Sequence, residues 1–183
     1  MDSTNYQYAN EIHFRFEKLD IANYVKVENF DCGNESINDF IKDKNRCLDR
    51  TLGVTYVFID ERDNKAIAFA TIACSGITHS YQGNRFTIPA IEIKYFAIVQ
   101  RLHRLLYDND DEHYYLSDHF LCYLMNRCMD ISEDIAAKYI ILYSVERAKK
   151  LYSRVGFADF SEFMEPDSYR YINGCAPMFI EMN

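Results

Sequence analysis

The chain has 183 residues, 49% of them hydrophobic and 26% charged, with a formal net charge of −8. That is ordinary globular composition, which argues against intrinsic disorder, and the length suffices to bury roughly 70% of the unfolded surface without a disulfide or metal staple. The acidic balance works against a nucleic-acid partner, and the longest apolar run, Ala66 to Cys74, is far too short to span a bilayer.

Met1 to Asn10 is polar and lacks a basic region followed by an apolar run, so no signal peptide is expected. Six scattered cysteines form no C-x-x-C pair, in keeping with a cytoplasmic protein carrying reduced thiols. The six glycines are Gly33, Gly53, Gly76, Gly83, Gly156 and Gly174. None lies between Asn84 and Val155, which excludes a glycine-rich phosphate loop of the Walker or Rossmann kind there.

With no repeat, linker or low-complexity tract, residues 1–183 read as a single domain whose first 11 residues form a flexible lead-in. Phe14 and Phe16 alternate with polar neighbours and predict a half-buried strand over Ile12–Leu19. After Gly33, Asn34 is a suitable N-cap for a helix carrying Ile37, Phe40, Ile41 and Leu48 on one face. Val54–Asp60 and Ala66–Ile77 predict a hairpin about the Asp63-Asn64 turn. A strand over Ala90–Val99 follows Pro89.

Gln100–Tyr115 is first basic, then acidic, and leads to a helix from Ser117 with Phe120, Leu121, Leu124, Cys128 and Ile131 on one side. Tyr139–Val145 has the continuous apolar character of a fully buried strand. A short helix over Arg147–Arg154 stops at Gly156, and Phe157–Phe163 and Met178–Met182 close the chain as strands. Antiparallel pairs followed by strand–helix–strand units give a mixed α/β (α+β) class, a central mixed sheet flanked by helices.

Three segments, in this order, carry a resemblance. They are Phe30-Asp-Cys-Gly-Asn-Glu-Ser-Ile-Asn-Asp-Phe-Ile41, Ile93-Lys-Tyr-Phe-Ala-Ile98, and Ile140–Val145 followed by Leu151-Tyr-Ser-Arg-Val-Gly-Phe157. The last resembles the closing strand, helix and Phe-Tyr-x-x-x-Gly-Phe-like motif of the GNAT superfamily of N-acetyltransferases. The middle segment is similar to that family's fourth strand. The first is similar to the first-helix signature of a branch that includes tRNA-acetylating bacterial toxins.

The resemblance implies a GNAT-like fold and acetyl transfer from acetyl-CoA, as co-substrate, to an amine by direct transfer in a ternary complex. Tyr152 is then the proton donor to the leaving thiolate, the alternative being a tyrosine that only packs. Backbone groups of a splayed strand at Phe96, Ala97 and Ile98 would meet the acetyl-pantetheine arm. Glu92, at the strand entrance, is the candidate base, directly or through water, with a solvated carboxylate as the plain alternative; Tyr95 and Glu146 rank below it.

One segment departs from the family. Its pyrophosphate loop, Arg/Gln-x-x-Gly-x-Gly/Ala, is replaced by the glycine-free stretch Tyr114-Tyr115-Leu116-Ser117-Asp118-His119, preceded by about nine extra residues. Ser117 either N-caps a core helix or, with the amides of Tyr115, Leu116 and Asp118 and aided by Arg101 or Arg104, still binds phosphate. The asparagine frequent after the family's next strand is also missing; Val145 stands there.

A catalytically silent GNAT-fold sensor of acyl-CoA, or an interaction module, is the alternative function. A tRNA acceptor and a homodimer remain open, and no membrane partner is expected. His113, His119 and Cys122 beside Asp110, Asp111 and Glu112 do not make a metal site, because only His119 and Cys122 have helical proximity and the acidic run reads as a solvated loop.

Overall fold

Alternating phenylalanines shape the first strand, because every second side chain of a strand faces the same way. In the computed structural model, which describes residues 6–108, 114–161 and 174–182, β1 (Phe14–Lys18) pairs antiparallel with β2 (Val54–Asp60), Phe16 opposite Phe58. The Phe14 ring meets those of Phe58 and Phe120 at 5.4 and 5.1 Å. Seven strands form one mixed sheet in the order β1-β2-β3-β4-β5-β7-β6, with β3 at Ala66–Tyr81, β4 at Asn84–Ile98, β5 at Tyr139–Val145, β6 at Ala158–Asp159 and β7 at Cys175–Glu181.

The described residues fall into two compact units, one from Met1–Thr71 and Tyr95–Phe120, the other from Ile72–Lys94 and Leu121–Asn183. In the first unit, Phe30, Phe40, Ile41, Phe58, Ile67, Phe69 and Phe120 are fully buried. The helix expected after Gly33 is two helices, α1 (Glu35–Lys42) and α2 (Lys44–Cys47). Asn34 caps α1 as expected, its side chain accepting from the Ile37 amide. Asp43 divides them: its backbone is extended, and its carboxylate accepts the Asn45 amide at 2.9 Å to open the second helix.

The lead-in is not loose from Tyr6 onward; residues 1–5 lie outside the described part. Tyr6 and Ala9 are buried. The Tyr6 hydroxyl donates to the buried carboxylate of Asp60, and the Arg62 guanidinium lies 4.6 Å over the Tyr6 ring. A phenol can enter a core at low cost only with such a partner. Burial, then the Asp60 hydrogen bond and charge, push the Tyr6 pKa up to about 12.

In the second unit, β3 and β4 are longer than expected, running on past Ile77 and starting before Ala90, and meet in a tight turn. Gln82 and Gly83 both have positive φ, 51° and 80°, the demand of a tight type I′ turn. Pro89 therefore sits inside β4 rather than before it, and its carbonyl accepts the Lys138 amide at 2.9 Å. β4 and β5 run parallel from Ala90 opposite Tyr139 to Ile93 opposite Leu142, and β4 continues to Ile98 beyond the last of these pairs.

Helix α3 (Leu116–Ile135) begins one residue before Ser117, and its buried Leu121, Leu124 and Cys128 are those the pattern marked. α4 (Lys149–Arg154) ends at Gly156, φ 98°. β7 pairs antiparallel with β5 and begins three residues earlier than expected. β6 is two residues long, not seven, and residues 162 and 163 of the expected strand lie outside the described part. No disulfide links the cysteines. No helix among the described residues is long and apolar enough to cross a membrane.

Candidate active site

In the first unit, the end of β4 is fixed on both flanks. Ala97 and Ile98 are buried and Phe96 is half-buried. The following Val99 amide donates to the Ile67 carbonyl at 2.9 Å, and the Gln100 amide to the Asp31 carbonyl at 2.8 Å. Gly33, φ 73°, lies so close to the Gln100 side chain that an added Cβ would stand 3.2 Å from its Cδ. The Ile98 carbonyl is engaged by the His103 ring at Nε2, 3.0 Å. Polar backbone groups at Phe96 and Ala97 therefore sit on a strand that cannot shift easily.

The glycine-free stretch folds back on itself. Leu106 and Tyr115 form an antiparallel bridge, and the Tyr107 amide donates to the Tyr114 carbonyl at 2.8 Å. The Leu116 amide donates to the Leu105 carbonyl at 2.9 Å. Asp118 is buried, and its carboxylate accepts the Tyr115 amide at 3.0 Å. The amides of Asp118 and His119 both turn back to the Tyr115 carbonyl, at 2.9 and 3.2 Å.

Tyr115 thus stands at the N-cap position and Asp118 three residues later, at N3, supplying the return half of a capping box. Ser117 is not the cap; its hydroxyl lies 3.5 Å from the Asp118 carboxylate instead. A phosphate brought within about 4 Å of that carboxylate would meet a repulsion of roughly 4 kcal/mol per unit charge at an effective dielectric of 20.

The cations expected to help are placed differently. Arg101 lies on a 3-10 turn with its guanidinium 3.9 Å from Asp63, both side chains well exposed, a pairing of little strength. Arg104 is exposed and holds a positive φ of 61°. His119 stands half-buried between the rings of Tyr107 (4.8 Å) and Phe14 (6.0 Å), and burial pulls its pKa below the usual histidine value. Among the described residues no three His, Cys, Asp or Glu side chains converge on a metal-sized site; His113, Asp110, Asp111 and Glu112 lie outside the described residues.

The second unit holds Glu92 and Tyr152. Glu92 lies opposite Ile141 in the parallel register and is 6% exposed. It is not the solvated entrance residue of the plain alternative, because β4 begins eight positions before it. Tyr152, on α4, is buried, with the Phe157 ring edge-on at 5.9 Å. Its carbonyl accepts the amides of Val155 and Phe157, which closes the turn at Gly156. Its hydroxyl has no hydrogen-bond partner among the described residues, and burial alone pushes its pKa up to about 12. A buried phenol normally finds such a partner.

One feature went unmarked in the pattern, though it is visible as Lys42-Asp-Lys-Asn-Arg-Cys-Leu-Asp-Arg50. Lys42, Lys44, Arg46 and Arg50 are all exposed, and none is ion-paired to a carboxylate among the described residues. The interspersed Asp43 and Asp49 are turned onto the backbone amides of Asn45 and Thr51. Arg46 lies 5.6 Å over the Phe40 ring, which stacks on Tyr95 at 4.0 Å. Tyr95 directly precedes Phe96, so this basic corner of the first unit adjoins the end of β4.

No family model matches the chain, and no curated protein matches it. Solved structures do. A bacterial toxin superposes with a TM-score of 0.69 at 16% identity, covering 93% of this chain and 91% of that one. The AtaTR complex bound with acetyl-CoA gives 0.63 at 18% identity, over 92% of each chain. AtaT complexed with acetyl-methionyl-tRNAfMet gives 0.65 at 16% identity, over 92% of this chain and 95% of that one. The chain therefore shares the fold of these solved toxin structures, the outcome that the resemblance of its three ordered motifs led one to expect.

Proposed function

We propose that this protein is an acetyl-CoA-dependent N-acetyltransferase acting by direct transfer. The observation that carries this reading is the buried Tyr152 hydroxyl with no partner among the described residues, in the motif that implies the proton donor. In the reaction the acceptor nitrogen attacks the thioester carbonyl, the C–N bond forms and the C–S bond breaks. Glu92 takes the amine proton, directly or through water, and Tyr152 gives its own to the leaving thiolate. Burial raises the pKa of this phenol, so at neutral pH it holds the proton it has to give. Backbone groups at Phe96, Ala97 and Ile98 would hold the acetyl-pantetheine arm.

For the acceptor we favour the amine of an aminoacyl-tRNA. The net charge of −8 argues against RNA binding only on average; Lys42, Lys44, Arg46 and Arg50 supply a local basic face next to Tyr95. The solved AtaT complex with acetyl-methionyl-tRNAfMet supports the same direction. The test is calorimetric titration with acetyl-CoA followed by an acetylation assay on charged tRNA. Binding with acetylation is expected; absence of both heat and thermal shift at millimolar acetyl-CoA would sink the reading.

A second reading, a silent acyl-CoA sensor or interaction module, is favoured by the self-capped start of α3. Acetyl-CoA binding without transfer to any tested amine would select it.

A further inference from the structure

We propose that this protein reads its donor through the pantetheine arm, so that its donor class is the acyl-pantetheine thioester and the nucleotide end of CoA adds little to binding. The inference rests on the transferase reading above. A helix start attracts a diphosphate through its unsatisfied amides and the positive end of its dipole. Here three of the four amides at the start, all but that of Ser117, are already used. Tyr115 donates to the Asp118 carboxylate, Leu116 to the Leu105 carbonyl, and Asp118 and His119 to the Tyr115 carbonyl.

The group at the helix start is itself an anion, and it is only 1% exposed. A buried carboxylate in a capping position is held by the same dipole that would otherwise hold phosphate. The second occupant, the Leu105 carbonyl, comes from the segment whose extra residues distinguish this chain. Leu105, Leu106 and Tyr107 are further tied down, since the Leu106 and Tyr107 carbonyls accept the amides of Ala9 and Asn10 at 2.8 and 3.0 Å. To offer a diphosphate more than the single amide of Ser117, the chain would have to break this whole set together.

The backbone at Phe96 and Ala97 depends on none of these bonds. A donor gripped there is recognised by its amide-bearing arm and thioester, which acetyl-CoA shares with smaller pantetheine thioesters.

The experiment is titration of the full chain with acetyl-CoA, S-acetyl-4′-phosphopantetheine and S-acetyl-pantetheine. Dissociation constants within about threefold of one another are expected. Acetyl-CoA binding tighter than S-acetyl-pantetheine by about 30-fold or more would overturn the inference while leaving the transferase reading intact. Binding of none of the three would overturn both. Asp118→Asn is a second measurement: it should raise affinity for acetyl-CoA by about fivefold or more and leave S-acetyl-pantetheine unchanged. An equal change for both thioesters would count against Asp118 as the occupant. The comparison of thioesters on the unaltered chain decides the matter even where that variant fails to fold.

Discussion

The buried carboxylate of Asp118 accepts the backbone amide of Tyr115 at 3.0 Å, so the start of the central helix is closed by the chain's own negative charge. This one bond joins the two unusual features of the segment, the missing glycines and the inserted residues. Without glycine the backbone cannot wrap closely around a phosphate. With the insertion, a carbonyl from Leu105 is available to satisfy the next amide.

Tyr152→Phe should lower turnover by about 100-fold or more, as loss of a general acid does, and change the KM for acetyl-CoA by less than about twofold. The same change removes a hydroxyl that has no partner among the described residues, so urea unfolding should show stability unchanged or raised by up to about 1 kcal/mol. A fall in turnover that tracks a fall in stability would make Tyr152 a packing residue.

Alkali should destabilise the protein, and two buried tyrosines contribute alongside Tyr24 and the thiols of Cys47 and Cys128, whose pKa values burial also raises. Tyr6 and Tyr152 have folded pKa values pushed up to about 12 from an ordinary 10.0, by burial first in each case. The folded state therefore retains protons that the unfolded state loses. Their contribution is fully present below pH 10 and is lost as pH rises from 10 towards 12. Urea midpoints measured from pH 9 to 11.5 should fall, and the fall should be shallower in Tyr152→Phe. Tyr6→Phe should in addition cost about 1–3 kcal/mol at neutral pH, because the buried Asp60 carboxylate loses a donor.

Replacing Lys42, Lys44, Arg46 and Arg50 by Gln should weaken tRNA binding and flatten its salt dependence. Each lost phosphate contact lowers the slope of log K against log salt by roughly 0.7–0.9. The four together should reduce it by about 3, with little change in acetyl-CoA affinity. An unchanged slope would place the RNA elsewhere.

Gly156→Ala should destabilise by about 1 kcal/mol or more. The residue sits at φ 98°, and its added Cβ would stand 3.3 Å from Ile180 Cδ1. Thermal unfolding measures this directly.

The sequence alone determined the parts of this protein that local physics governs. Alternation at Phe14 and Phe16, the Asn34 cap, the apolar face of Leu121, Leu124 and Cys128, and the stop at Gly156 all depend on residues a few positions apart. The mixed sheet class followed from the order of those segments, and the fold shared with the solved toxin structures from the resemblance of three of them. Single helices and strand ends were less legible: Asp43 divides a continuous apolar face because its side chain prefers a backbone amide, and Gln82 with Gly83 extends a hairpin through polar residues that carry no alternation.

Tertiary structure alone decided what occupies the start of α3 and which groups stand without a partner among the described residues. Asp118 and Ser117 are both fit to cap a helix, and only the packing that buries Asp118 selects the carboxylate. Leu105 supplies a carbonyl, which no side-chain pattern records. That the Tyr152 hydroxyl meets no hydrogen-bond partner and the four cations from Lys42 to Arg50 meet no carboxylate among the described residues is likewise a property of surroundings. The charge of −8 is a sum over the whole chain, whereas a polyanion responds to the potential at one surface, which depends on where Asp43 and Asp49 point.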